Sequence, residues 1–128
     1  GTAHACNLRA DGGTACYGDD TLAQRQAPAV PFTSIDANAH HSCALGLGHR
    51  LRCWGDTANG GSEPPAVALR DFDLGQTNGC GIGSDGAAVC WGWNVNGQGN
   101  PPTGAFREVA TGLNHSCGIR DTGALACW

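Results

Sequence analysis

The chain has 128 residues, 41% of them hydrophobic and only 14% charged, with a formal net charge of −4. That length fits one domain, and the apolar content excludes an intrinsically disordered polymer. All seven basic residues are Arg and lie scattered, which excludes the basic patch that nucleic acid or an acidic membrane surface requires, and no apolar run nears the ~20 residues of a membrane-spanning helix.

Taken in chain order, the elements recur. His4 and Cys6 open an alternating stretch, Asp11 and Gly12 mark a turn, and Cys16, Tyr17 and Gly18 close the return. The same sequence of features restarts at His41 and Cys43, again at Asn78 and Cys80, and again at His115 and Cys117. Every cysteine recurs after 37 residues, Cys6, Cys43, Cys80 and Cys117 in one series and Cys16, Cys53, Cys90 and Cys127 in the other. Other columns keep that register: Leu8, Leu45, Ile82 and Ile119; Tyr17, Trp54, Trp91 and Trp128; Pro28, Pro65 and Pro102; Phe32, Leu69 and Phe106. Gly12, Gly86 and Gly123 share a turn column in which the second unit carries His49. The chain therefore divides into repeats 1–37, 38–74 and 75–111, opening on Gly1, Asn38 and Gly75, and a half repeat 112–128 opening on Gly112.

Within a repeat the apolar period is two, as in strands, and Ser84-Asp85-Gly86 and Asp121-Thr122-Gly123 read as hairpin turns. Folding each hairpin about its turn sets its two cysteines opposite one another, close enough for a disulfide. The expected pairs are Cys6–Cys16, Cys43–Cys53, Cys80–Cys90 and Cys117–Cys127. Eight cysteines at regular spacing favour disulfides and an oxidising compartment over zinc, whose short Cys-x2–4-Cys pairs are missing here. The second half of each repeat carries Gly/Asn loops, then Pro64-Pro65 or Pro101-Pro102, then a shorter apolar stretch. A repeat thus offers up to four short strands, the signature of a β-propeller blade. A parallel β-helix fits less well, because its coils are shorter and lack this hairpin. The expected fold is an all-β propeller of 37-residue blades, about three and a half in number, each with one disulfide.

The strings His41-Ser42-Cys43-Ala44-Leu45, Leu51-Arg52-Cys53-Trp54-Gly55, Cys80-Gly81-Ile82-Gly83-Ser84-Asp85-Gly86 and Cys90-Trp91-Gly92-Trp93-Asn94 carry a family resemblance, with Gly97-Gln98 and His115-Ser116-Cys117-Gly118-Ile119. They resemble the regulator of chromosome condensation repeat family. The resemblance spans the chain and is weakest over residues 17–37, where Tyr17 replaces Trp and the Asn-x-x-Gly-Gln segment is lost. It implies a seven-bladed propeller, and its cysteine-bearing members resemble secreted bacterial proteins and the extracellular crinkly-type domains of plant receptor kinases. The nuclear founder activates a Ran GTPase through an inserted β-wedge; no insertion interrupts these repeats, so that activity is not carried over. A secreted bacterial β-lactamase inhibitor relative implies a disc that binds protein. Seven blades of this length need about 259 residues. With no Met in the sequence, the chain is expected to be a processed or partial product of a longer propeller, or else to self-associate through open blade edges.

The sequence shows no Gly-x-Ser-x-Gly, no phosphate loop and no unpaired cysteine, so no enzyme, cofactor or metal is expected. The histidine column His4, His41 and His115 reads as structural; the adjacent His40-His41 is the one place where a proton-transfer or metal role is open. Asn114-His115-Ser116 matches a glycosylation acceptor at a strand entry. Trp93 is the one Trp outside the repeat column, with Asp19 and Asp56 in its place elsewhere. It sits in a Gly/Asn-rich loop, where binding residues concentrate. Trp93, Asn94, Asn96 and Gln98 are therefore the candidate binding residues, an aromatic-plus-amide surface suited to a protein or a sugar. The expected function is a secreted, extracellular or periplasmic module that binds protein. A carbohydrate-binding lectin and a structural repeat of an extracellular assembly are the alternatives.

Overall fold

A computed structural model describes residues 3–128; Gly1, expected to open the first repeat, lies outside them. The strands are β1 (His4–Leu8), β2 (Thr14–Gly18), β3 (Phe32–Ala37), β4 (His41–Gly46), β5 (Leu51–Gly55), β6 (Leu69–Leu74), β7 (Asn78–Gly83), β8 (Ala88–Gly92), β9 (Phe106–Thr111), β10 (Ser116–Arg120) and β11 (Leu125–Cys127). One short 3-10 turn, Ala58–Gly60, lies in a loop, and the described residues form no α-helix.

Each cysteine pair spans one hairpin, with Cys6 opposite Cys16, Cys43 opposite Cys53, Cys80 opposite Cys90 and Cys117 opposite Cys127. All four pairs are bonded, with Cα atoms 4.0–4.1 Å apart. The hairpin alternation explains that closeness. Ser116 and Trp128 exchange both backbone hydrogen bonds, so the next pair inward, Cys117 and Cys127, is the non-hydrogen-bonded kind in which side chains approach most closely.

The sheets do not coincide with the sequence repeats. Strands β3, β6 and β9 come from the second half of one repeat and pair antiparallel with the hairpin of the next. The result is a two-stranded sheet β1-β2 and three-stranded sheets β3-β4-β5, β6-β7-β8 and β9-β10-β11. The sheets thus hold three strands at most, where up to four were expected. The Pro-containing stretch forms only the isolated bridges Arg50–Ala68 and Ala87–Ala105. Consecutive prolines lack the donors a fourth strand needs, and the Gly/Asn segment bonds to itself instead.

Successive sheets are stitched at both ends. At one end, the backbone N–H groups of Phe32, Leu69 and Phe106 donate to the carbonyls of Gly12, His49 and Gly86, at 2.9, 2.8 and 2.9 Å. Those three turn residues are left-handed, at φ 81°, 62° and 85°, which aims each carbonyl at the next sheet. At the other end, Asp36 accepts from Leu74 N–H at 3.0 Å, and Asp73 accepts from Thr111 N–H at 2.6 Å and Thr111 Oγ1 at 2.7 Å. These carboxylates lie on β3 and β6 and fasten the strand one repeat ahead.

The core lies between sheets. Phe32, Ile35 and Trp54 cover Cys6, Leu8 and Cys16; Leu69, Phe72 and Trp91 cover Leu45, Leu51 and the Cys43–Cys53 bridge; Phe106, Val109 and Trp128 cover Ile82, Ala88 and the Cys80–Cys90 bridge. Each Trp also donates its indole N–H to a loop carbonyl 30 residues earlier: Trp54 to Gln24 at 2.8 Å, Trp91 to Gly61 at 3.1 Å and Trp128 to Gln98 at 3.0 Å. Trp54→Phe keeps the ring but strips a buried carbonyl of its donor, and is expected to lower the unfolding free energy by about 2 kcal/mol in urea titration. Trp128→Phe is expected to cost less, because Ser116 Oγ still donates to the Gln98 carbonyl at 3.0 Å.

Candidate functional surface

The antiparallel register puts the ends of β3 and β5 and the start of β4 together, since Ala37 faces Ser42 and His41 faces Gly55. The β3–β4, β6–β7 and β9–β10 turns and the loops that follow β2, β5 and β8 therefore share one end of the sheets. The loops line up in order. Asp19, Asp56 and Trp93 occupy equivalent positions, their N–H groups donating to the carbonyls of Ala3, His40 and Thr77 at 2.9, 2.9 and 3.0 Å. The loop carbonyls of Gln24, Gly61 and Gln98 each rest on the Trp of the following sheet.

The loop after β8 holds all four candidate residues, in different roles. Trp93 is 39% exposed. Asn94 and Asn96 are exposed, but the Asn94 side chain is committed to the loop: its Oδ1 accepts from Gly99 N–H at 2.7 Å and its Nδ2 donates to Asn100 Oδ1 at 3.0 Å. Gln98 is fully buried, with Oε1 accepting from Asn96 N–H at 3.0 Å. A buried amide cannot meet a ligand, so Gln98 shapes the surface without belonging to it. Sequence reading missed Val95, 72% exposed beside Trp93, and the exposed Leu113 in the β9–β10 turn. The available signal was an apolar side chain standing in an Asn/Gly loop.

The first repeat keeps this loop where its motif was expected to be lost. Gln24 is buried and its Oε1 accepts from Leu22 N–H at 2.8 Å, and Asp20 Oδ1 accepts from Arg25 N–H at 2.8 Å, matching Gln98 and Asn94. Asp serves for Asn in receiving the loop N–H, because that bond needs only an acceptor oxygen; the Asn94 Nδ2 bond to Asn100 is particular to the third repeat. Ala23 takes the left-handed place of Gly60 and Gly97, at φ 62° against 73° and 88°. Ala23→Gly is therefore expected to raise stability by about 0.5–1 kcal/mol, measured by denaturant titration.

The histidine column splits. His4 and His41 are buried, whereas His115 is exposed. His4 Nε2 and Ser42 Oγ share a hydrogen bond of 2.7 Å, so the partner is a side chain of the next sheet and not backbone. The position equivalent to Ser42 one repeat on is Gly79, and His41 Nε2 has no such hydroxyl. Among the described residues, no three His, Cys, Asp or Glu side chains converge as metal ligands would. Burial lowers the pKa of both His4 and His41; at His41 it outweighs the neighbouring Asp56 and Asp36 carboxylates, which pull the other way. Below the ordinary imidazole value of 6.5 the unfolded chain takes up a proton that the folded chain resists, so stability falls as pH drops. His41→Asn, the side chain the third repeat uses at Asn78, is expected to flatten the decline in unfolding free energy between about pH 6.5 and pH 5.

No protein-family model and no curated protein sequence matches the chain. Solved structures do. The CRINKLY WD40 ectodomain of the Arabidopsis thaliana receptor kinase ACR4 is 32% identical, with a TM-score of 0.84 over 99% of this chain and 48% of that one. The ectodomain of the Physcomitrella patens receptor kinase CR4 is 25% identical, with a TM-score of 0.82 over 98% of this chain and 38% of that one. Yeast RCC1 (Prp20), in its structure with Kap60, shares the fold at 16% identity, with a TM-score of 0.80 over 98% of this chain and 41% of that one. The chain thus spans half or less of each. Sheet order, disulfide-closed hairpins and these matches define an arc of a β-propeller. Its repeats resemble those of the CRINKLY ectodomain in sequence and share the fold of the RCC1 propeller.

Proposed function

We propose that the chain is a disulfide-stapled binding module of an oxidising extracellular or periplasmic compartment, and that it engages a protein partner through the loop end of its sheets, centred on Trp93 and Val95. All eight cysteines are bonded, which supports that compartment. The similar receptor-kinase structures are ectodomains, and yeast RCC1 was solved bound to Kap60.

One observation carries the surface assignment. At the positions equivalent to Trp93, Asp19 and Asp56 each accept the N–H two residues on, from Thr21 at 3.1 Å and Ala58 at 2.8 Å. That Asx turn steadies the loop. The third repeat gives it up for a partly exposed indole, two residues before an exposed Val. An exchange that loses a local hydrogen bond and exposes apolar area is unfavourable for the fold alone and favourable for a contact, because aromatic anchors dominate protein interfaces. The exposed amide of Asn96 near Trp93 is what favours the lectin alternative.

Trp93→Asp restores the turn of the other repeats, so the variant is expected to be as stable as the parent or slightly more so. Immobilised on beads with the parent, it is expected to lose, at least tenfold, the secreted or surface proteins that the parent retains. Leu47→Asp, on the hairpin turn at the opposite end, is expected to retain them. Equal retention by all three proteins would remove the assignment, and parent-only binding on a glycan array would replace it with the lectin reading.

A further inference from the structure

Ala29, Ala66 and Thr103 occupy one repeat column, and two of their three carbonyls are closed by an arginine. The Ala66 carbonyl accepts from Arg50 Nη1, which reaches it from the hairpin before. The Thr103 carbonyl accepts from Arg120 Nη1 at 2.8 Å, which reaches it from the hairpin after. The two positions that could send an arginine to Ala29 both hold glycine: Gly13 in the column of Arg50, and Gly46 in the column of Arg120. Among the described residues, none donates to the Ala29 carbonyl.

A hollow of about 470 Å³ lies where the Arg50 side chain would run, between Gly13 and Thr14 on the hairpin and Pro28, Ala29 and Val30 on the segment leading to β3. Thr14 stands in the place of the buried Leu51. Its hydroxyl is itself buried, with no partner among the described residues. At the next two boundaries the bridges Arg50–Ala68 and Ala87–Ala105 tie the corresponding segment to the hairpin; at the first, Pro31 stands in the place of Ala68 and Ala105.

We infer that this hollow binds a guanidinium group, presented as an arginine side chain by a protein partner. The molecule itself specifies the occupant, since the equivalent carbonyl takes an arginine from one side at Ala66 and from the other at Thr103. A guanidinium has five donors and no acceptor. The hollow offers it two open acceptors, the Ala29 carbonyl and Thr14 Oγ1, and the proline and valine walls suit its aliphatic stem. Arg9 and Asp11 line the hollow with opposite charges, so the acceptors and not the net charge select the ligand. The site lies at the hairpin-turn end of the sheets, away from Trp93, and does not rest on the surface proposed there.

The probe is the tripeptide acetyl-Ala-Arg-Ala-amide, titrated into the isotope-labelled full chain and followed by NMR. Saturable shifts of the Gly13, Thr14 and Val30 amide resonances are expected, with a Kd on the order of 1 mM, and the Lys and citrulline analogues are expected to bind about tenfold more weakly. Gly13→Arg supplies from within the chain what Arg50 supplies one repeat on, and is expected to weaken peptide binding about tenfold. Thr14→Val keeps the size and removes the acceptor, and is expected to weaken it about threefold or more. Arg9→Ala is expected to leave binding unchanged or tighten it, because a like charge is removed. Shifts that do not saturate in the folded parent would overturn the inference, as would undiminished binding by a folded Gly13→Arg protein or, where that variant misfolds, by Thr14→Val. Preferential binding of acetyl-Ala-Glu-Ala-amide, lost on Arg9→Ala, would also overturn it and make the hollow an anion site.

Discussion

The structure depends on one recurring contact: a Trp on or directly after the last strand of each three-stranded sheet, laid over the preceding disulfide hairpin and bonded to a loop carbonyl 30 residues back. The ring buries the bridge and the aliphatic side chains around it, and the indole N–H ties down the loop that would otherwise be the least ordered part of the repeat. A single side chain therefore sets the distance between sheets and the path of the loop. Any insertion between carbonyl and indole would break one of the two jobs. The 30-residue separation of carbonyl and indole is constant across the three sheets and fills most of the 37-residue step.

A single repeat's sheet cannot bury its hydrophobic face alone. Three devices offset this. The disulfide limits each hairpin's unfolded freedom, by about 2–3 kcal/mol in the chain-entropy account. The left-handed turn carbonyls and the Asp36 and Asp73 carboxylates hold the next sheet by its two ends. Because the strand that receives both ties belongs in sequence to the preceding repeat, neither repeat can complete its sheet without the other. Cooperativity between neighbours is built into the phase offset between repeat and sheet.

That offset also explains which parts were legible in the sequence. The hairpins and their bridges were readable because turn and cysteines are symmetric about Asp85 or Thr122, and local symmetry fixes register. A periodic pattern is blind to phase, so nothing in it says that Phe32–Ala37 pairs forward with β4. Asp36 and Asp73 looked like any strand acids, since their partners lie 38 residues away. At the site, Trp93 stood out because it broke a column. Gln98 was placed on the surface because an amide in a Gly/Asn loop looks solvent-facing, yet its side chain turns inward to hold Asn96 N–H. Ala23 hid the first repeat's version of that loop, because its left-handed backbone leaves no trace in composition.

Departures from the repeat therefore carry different meanings according to what they cost. Ala23 and His49 sit in left-handed positions where the other repeats mostly use Gly, and the loop and turn around them keep their shape; these are strains the fold tolerates. Trp93 is a departure of another kind. It leaves the backbone path unchanged, since its N–H still reaches Thr77, but removes the carboxylate that caps the loop in the two earlier repeats and puts apolar area into solvent. The adjoining Val95 adds to that area, and the buried Gln98 and committed Asn94 keep the loop rigid beneath it. A rigid platform lowers the entropy lost when a partner docks. The first repeat holds the same platform with Asp20 and Gln24, and the third differs from it by turning Trp93 and Val95 outward where the first has Asp19 and Thr21.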